Sequence, residues 1–182
     1  MATIKLTKVR LSYPNLFEPR EFEGNGKPKF SATGLFDRKH PANDIIKAAV
    51  LDAAKAKWGA KGEATLKALQ ANGRVFATRD GDNKETEGYA GHNYISASNS
   101  KRPRVMDSDG VTPLVDGDGK PYGGCHVNMW VDIYGHENGS IKGIYTNLVA
   151  IQFHSDGELL SNGSDAVKID FTAVDDEEES LV

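Results

Sequence analysis

The residues of this chain with chemistry to offer are aromatic rings interleaved with cations. Tyr13, Phe17, Tyr94, Trp130, Tyr134 and Tyr145 alternate along the sequence with Lys8, Arg10, Lys29, Arg102, Arg104 and Lys142. A ring can stack on any nucleobase for about 1–3 kcal/mol, and clustered cations follow phosphates. The densest example is His92–Met106, HNYISASNSKRPRVM. It opens as a strand in which Asn93, Ile95 and Ala97 alternate with Tyr94, Ser96 and Ser98, and Tyr94 reads as an exposed ring. It then reaches Lys101-Arg102-Pro103-Arg104, where the proline keeps the basic stretch extended. A ring, small polar side chains and fixed cations suit a flexible polyanion. The residues assigned to that role are Lys8, Arg10, Tyr13, Lys29, Tyr94, Lys101, Arg102, Arg104, Trp130, Tyr134 and Tyr145. The plain alternative is that the rings cap a core and the cations solvate it. Trp130 and Tyr134 stand apart because their register opposes the apolar face of their own strand.

Other chemistries are poorly served. Asp107-Ser108-Asp109-Gly110 and Asp116-Gly117-Asp118-Gly119 echo the start of a calcium loop. Where such a loop wants an oxygen ligand and then glycine, the first has Val111 and Thr112, the second Lys120 and Pro121. They read as turns. Cys125 and His126 are strand neighbours and would point to opposite faces, a poor geometry for a nucleophile and its base. Gly24-Asn25-Gly26-Lys27 lacks the spacing and the following hydroxyl of a phosphate loop. No catalytic constellation, metal site or cofactor motif stands out.

Charge is distributed unevenly. The formal net charge is −4, but residues 1–104 carry a balance of +8 and residues 105–182 one of −12. Five acids are consecutive, Asp175, Asp176, Glu177, Glu178 and Glu179, followed after Ser180 by Leu181 and Val182. An acidic total therefore does not exclude a polyanionic ligand, because the body is basic and the end is acidic. Those carboxylates resemble a run of phosphates and could occupy a basic groove in cis, at an effective concentration on the order of millimolar. Leu181 and Val182 offer a small apolar anchor for a protein partner. The lone Cys125 rules out an intrachain disulfide and a cysteine-based zinc site. No stretch approaches the roughly 18 apolar residues of a membrane span, and the N-terminus lacks the apolar core of a signal peptide.

The elements that must position these residues read as follows. Thr3–Tyr13 is a long strand whose apolar register changes between Leu6 and Val9, which predicts a bulge or bend near Thr7-Lys8. Pro14 ends it, and a polar loop follows to Pro28. Lys29–Asp37 is a second strand, with Gly34 marking a close approach or a sharp bend. Pro41–Trp58 is a helix with Ile45, Ile46, Ala49, Val50 and Ala53 on its apolar face, ended by Gly59, and Lys61–Ala71 is a shorter one. Arg74–Thr78 is a short strand and Arg79–Gly88 a solvated loop. Gly123–His136 and Ile141–His154 form a long hairpin with Asn138-Gly139 as its turn. Val167–Phe171 could add an edge strand. The whole is mainly β: an OB-fold-like Greek-key barrel over residues 1–174 with a helical insert after the second strand, and a disordered acidic tail at 175–182. A lipocalin-like barrel or an α+β sandwich remains open.

Four blocks in order, KVRLSYPNLFEP, YISASNSKRPRV, GGCHVNMWVDIYG and GIYTNLVAIQF, together with the acidic tail, resemble a family of small tailed-phage single-stranded DNA-binding proteins, first catalogued as a domain of unknown function. The resemblance implies an OB-fold that binds single-stranded DNA without strong sequence preference in phage replication and recombination, in the cytoplasm of the bacterial host. It also implies a tail that competes with DNA and contacts replication proteins. The chain departs from the pattern in ending Leu181-Val182, where related tails often end in phenylalanine. It departs again in placing its helices after the second strand, where many OB-folds place them after the third. Two other readings compete: a replication adaptor with incidental DNA binding, and a metal-dependent nuclease using Asp107, Asp109, Asp116 and Asp118.

Overall fold

The computed structural model describes residues 2–21, 26–75 and 77–160. The expected edge strand Val167–Phe171 and the tail Asp175–Val182 lie outside them. Seven strands and two α-helices are described: β1 (Ala2–Arg20), β2 (Lys29–Asp37), α1 (Ala42–Trp58), α2 (Gly62–Ala71), β3 (Arg79–Asp80), β4 (His92–Asn99), β5 (Arg104–Met106), β6 (His126–Asn138) and β7 (Ile141–Ser155). Hydrogen bonding runs β3-β4-β2-β1-β6-β7-β5. A further parallel contact, Ser98 opposite Asn147, joins β4 to β7 and closes β1-β2-β4-β7-β6 into a five-stranded barrel. The helices follow the second barrel strand, as expected, and the architecture is the OB-like one.

Alternation fills the barrel. Val127, Met129, Val131 and Ile133 of β6 point inward with Leu6 and Val9 of β1, Ile95 and Ala97 of β4, and Ile144, Leu148 and Ile151 of β7. Gly34 on β2 marks the tightest crossing: a Cβ there would lie 3.1 Å from both Met129 Sδ and Val9 Cγ2. Long strands need bulges to curl into so small a barrel. β1 takes one at the expected place, with a register shift between Leu6 and Val9 and Lys8 at a φ of 52°. It takes another between Ser12 and Asn15, with Tyr13 at 47°. β7 carries Val149 as an extra residue, since Trp130 pairs with Ala150 and Val131 with Leu148.

Several local expectations need correction. β1 continues through Pro14 to Arg20, because that proline falls in the irregular stretch after Ser12, where a missing amide costs no ladder bond. Ile45 is 39 % exposed, outside the stripe of Ile46, Ala49, Val50 and Ala53 that α1 buries. Among the described residues of the expected strand Arg74–Thr78 one bridge is formed, Val75 to Ile144, and a short strand lies at Arg79–Asp80, paired with Tyr94 and Asn93. The hairpin turn sits one residue later than expected, at Gly139-Ser140, since Asn138 pairs with Ile141. The two helices meet closely at Gly62, where a Cβ would stand 2.8 Å from Lys55 Cα. None of the described helices is long and apolar enough to cross a membrane.

Candidate nucleic-acid interface

The outer faces of β1, β2 and β4 form the floor of an open groove of about 890 Å³. Its floor is made of small hydroxyls, because the residues that alternate with inward Ala32, Gly34, Ile95 and Ala97 are Ser31, Thr33, Ser96 and Ser98. Thr33 and Ser96 hydrogen-bond to each other at 2.9 Å, and Asn15 donates to Ser31 Oγ at 3.2 Å. Thr146 of β7 donates to the Ser96 carbonyl at 2.6 Å, which ties the hairpin to the groove. Short side chains leave the sheet surface accessible to a planar ligand.

Two tyrosines wall this floor. Tyr13 is turned into the groove by its left-handed backbone, a conformation that β1 otherwise adopts only at Lys8, at its other bulge. Tyr145 enters from the hairpin, with Tyr134 at 6.2 Å between centroids and His136 edge-on at 5.9 Å. Gly143 makes room for it: a Cβ there would lie 2.8 Å from Tyr145 Cε2. Burial raises the Tyr134 hydroxyl pKa above its ordinary value, with a smaller contribution from Tyr145.

Cations occupy both ends. Arg79 and Lys84 line one end. Arg38 takes the two carboxylates beside them in sequence, reaching Asp80 at 2.8 Å and Asp82 at 2.6 Å. Arg20 lines the other end and pairs in register with Lys29. Phe30 pairs with Asn99, so the Lys101–Arg104 loop leaves from the same end. Lys101 is exposed there, and Arg102 lies 5.9 Å above the ring of Phe17, which stands on β1 between groove-lining Asn15 and Arg20.

The candidates named from sequence therefore divide. Tyr13 and Tyr145 line the groove, Tyr134 stands beside Tyr145, and Lys29, Lys101 and Arg102 lie towards its Arg20 end, which Glu21 also lines. Tyr94 is not the exposed ring expected: it is 7 % exposed and edge-on to the buried Tyr89 at 5.1 Å, because Tyr13, Leu35 and Leu160 cover that part of the outer face. Trp130 does not form the groove floor. It faces out on the far side of the barrel with Lys5 at 5.2 Å over its ring, since β6 lies beyond β1 from β2. Arg104 follows it there, opposite Ala150 on β5. Lys8 also belongs to that side, its amide donating to Asn128 Oδ1 at 3.0 Å. Arg10 is spent on structure, holding the carbonyls of Gly124 at 3.2 Å and Glu158 at 2.7 Å.

Arg20, Arg79, Lys84 and the β2 half of the hydroxyl floor, Ser31 and Thr33, were missed from sequence. The floor had a signal, the alternation of small polar with small apolar residues in both β2 and β4. The three cations lie in stretches that read as loops and had none. The aspartate loops close turns: Asp109 accepts from the Val111 and Thr112 amides and the Thr112 hydroxyl, which holds its pKa down at about 2. Burial pushes the Cys125 thiol up to about 11, which argues against a nucleophile.

Comparison with known proteins bears on the family and the fold. Protein p50 of Acyrthosiphon pisum secondary endosymbiont phage 1 is 40 % identical over 182 residues, covering 98 % of each chain. Among solved structures, the single-stranded DNA-binding protein of bacteriophage Enc34 in complex with ssDNA matches with a TM-score of 0.72 and 29 % identity, over 86 % of this chain and 88 % of that one. The single-stranded DNA-binding protein gp2.5 of bacteriophage T7 shares the fold at a TM-score of 0.57 and 11 % identity, over 94 % and 99 %. The family model described as Enterobacter phage Enc34, ssDNA-binding protein, matches residues 2–181, and this chain belongs to that family of DNA-binding proteins, which are not enzymes.

Proposed function

We propose that this chain binds single-stranded DNA without sequence preference, in the groove over β1, β2 and β4, during phage replication and recombination in the host cytoplasm. The observation that carries the reading is the groove itself: a floor of short hydroxyl side chains between Tyr13 and Tyr145, with cations at both ends. Bases stack on the tyrosines, the backbone runs past Arg20, Lys29, Lys101 and Arg102 to Arg79 and Lys84, and no base edge is read. The tail Asp175–Val182 competes in cis for those cations when DNA is absent, and when displaced it contacts replication proteins. Its charge run in the sequence supports this.

Fluorescence anisotropy with labelled single-stranded and duplex oligonucleotides, at two salt concentrations, tests the reading. Binding should fall steeply with salt, favour the single strand and tighten on deletion of Asp175–Val182. Tyr145→Ala should weaken it by roughly 5–150-fold, the loss of about 1–3 kcal/mol of stacking. Trp130→Ala should leave it unchanged. Equal loss from the two substitutions would place the DNA elsewhere, and a truncated chain that binds no tighter would remove the tail from the mechanism.

A further inference from the structure

Lys84 occupies an unusual position at one end of the groove. Its ammonium lies 5.3 Å from the ring centre of Tyr13, 5.0 Å from that of Tyr89 and 5.4 Å from that of Tyr94. The back of this cage is rigid. Tyr89 and Tyr94 are buried and meet edge to face, and the Tyr89 hydroxyl bonds to buried Ser12 at 2.8 Å. Tyr13 is the half-buried wall that also faces the groove. Among the described residues no carboxylate pairs with Lys84, since Arg38 holds both Asp80 and Asp82. The cage also costs the ammonium some hydration: burial lowers its pKa, with a smaller contribution from nearby Arg79.

We infer that Lys84 is a cation with two positions, filling the tyrosine cage in the free protein and moving to a DNA phosphate in the complex, which leaves the face of Tyr13 to a base. This rests on the groove being the DNA site. The two occupants exclude each other, because an ammonium and a base cannot share one face of a ring. A phosphate offers Lys84 a charge-assisted hydrogen bond in place of a cation–π contact, and its four-carbon stem is the flexible part of the assembly. The ligand at this end of the groove is thus one nucleotide unit, with its base on Tyr13 and its phosphate on Lys84. Any of the four bases would serve.

Binding of labelled oligothymidylate to the full chain across a salt series tests the exchange, with Lys84→Met, Lys84→Arg, Tyr13→Leu and Tyr145→Ala. Losing one phosphate contact should flatten the plot of log affinity against log salt by about 0.7 for Lys84→Met. The line should also cross that of the unaltered protein: weaker at low salt, and equal or tighter at high salt, where the uncovered ring is the remaining difference. Lys84→Arg should keep the original slope. Tyr13→Leu should weaken binding by roughly 5–150-fold at every salt concentration. An unchanged slope for Lys84→Met would show that the lysine stays in its cage and overturn the exchange, as would a Tyr13→Leu protein that binds normally. Failure of Tyr145→Ala to weaken binding would instead reject the groove as the DNA site.

Discussion

The outer surface of the barrel has two faces, both furnished with rings and cations, and they differ in what covers the sheet between those groups. On the groove face the sheet is covered by serine and threonine, and the tyrosines stand around a gap. On the opposite face, over β1, β6, β7 and β5, side chains satisfy one another across the strands. Thr3 donates to Asp132, Lys5 caps Trp130, and Asn128 donates to Gln152 at 3.0 Å while receiving the Lys8 amide. Gln152 in turn reaches the Asp107 carbonyl at 3.3 Å. A cation or ring is available to a ligand only where its neighbours leave room beside it. Residue type alone does not separate these cases.

Two arginines ten positions apart on β1 give the sharpest test of how a cation's surroundings set its role. Arg10→Ala should cost about 2–3 kcal/mol of stability, because it releases two carbonyls from a charged donor, and should leave the salt dependence of DNA binding as it was. Arg20→Ala should do the reverse, leaving the melting temperature nearly in place and flattening the salt slope by about 0.7. Thermal unfolding together with a salt series on both variants would decide it, and the same outcome for both would erase the distinction between a cation held by the fold and one left to a ligand. Next in size is Tyr89→Phe, which takes the hydroxyl partner from buried Ser12. Denaturant titration should show a loss of about 1 kcal/mol, and no loss would mean that the groove-side tyrosines are not held rigidly from behind.

The smallest effect belongs to the loop below β5. Asp109 has a carboxyl pKa of about 2 against an ordinary 3.8. A lowered folded-state value gives stabilisation that is complete above the ordinary one and lost as pH falls towards the folded one. The melting difference between the unaltered protein and Asp109→Asn should therefore shrink as pH is lowered between those two values. A difference that is constant with pH would mean that the three hydrogen bonds to Asp109 do not depend on its charge.

Much of the barrel was legible because alternation is a local property. The inward face of β6, the bulge before Val9 and the close approach at Gly34 follow from neighbouring residues whose spacing is fixed by the pleat. Helix α1 was legible for a similar reason, from Pro41 to Gly59, although Ile45 lay at the margin of its stripe and fell on the solvent side. The site was legible in kind but not in membership. Tyr13, Tyr145 and the Lys101-Arg102 pair could be named, whereas Trp130, Arg104 and Lys8 were assigned to the same surface and stand on another, and Arg10 is held by backbone carbonyls. Alternation says that a side chain points out of the barrel but not towards which quarter of it, and that depends on strand order. Arg79 and Lys84 had no periodic signal, since a loop takes its position from what it is tied to.

The sequence by itself determined a basic body with an acidic end, the inward and outward faces of the main barrel strands, and rings and cations suited to a polyanion. These are short-range matters of composition and period. The tertiary structure decided which outward residues meet. The β4–β7 closure at Ser98 and Asn147 brings Tyr145 across to Tyr13, and the short strand at Arg79–Asp80 carries Lys84 onto three tyrosines. Both depend on pairing between segments far apart in the chain, where the partner is selected by the whole barrel and not by the residues beside it.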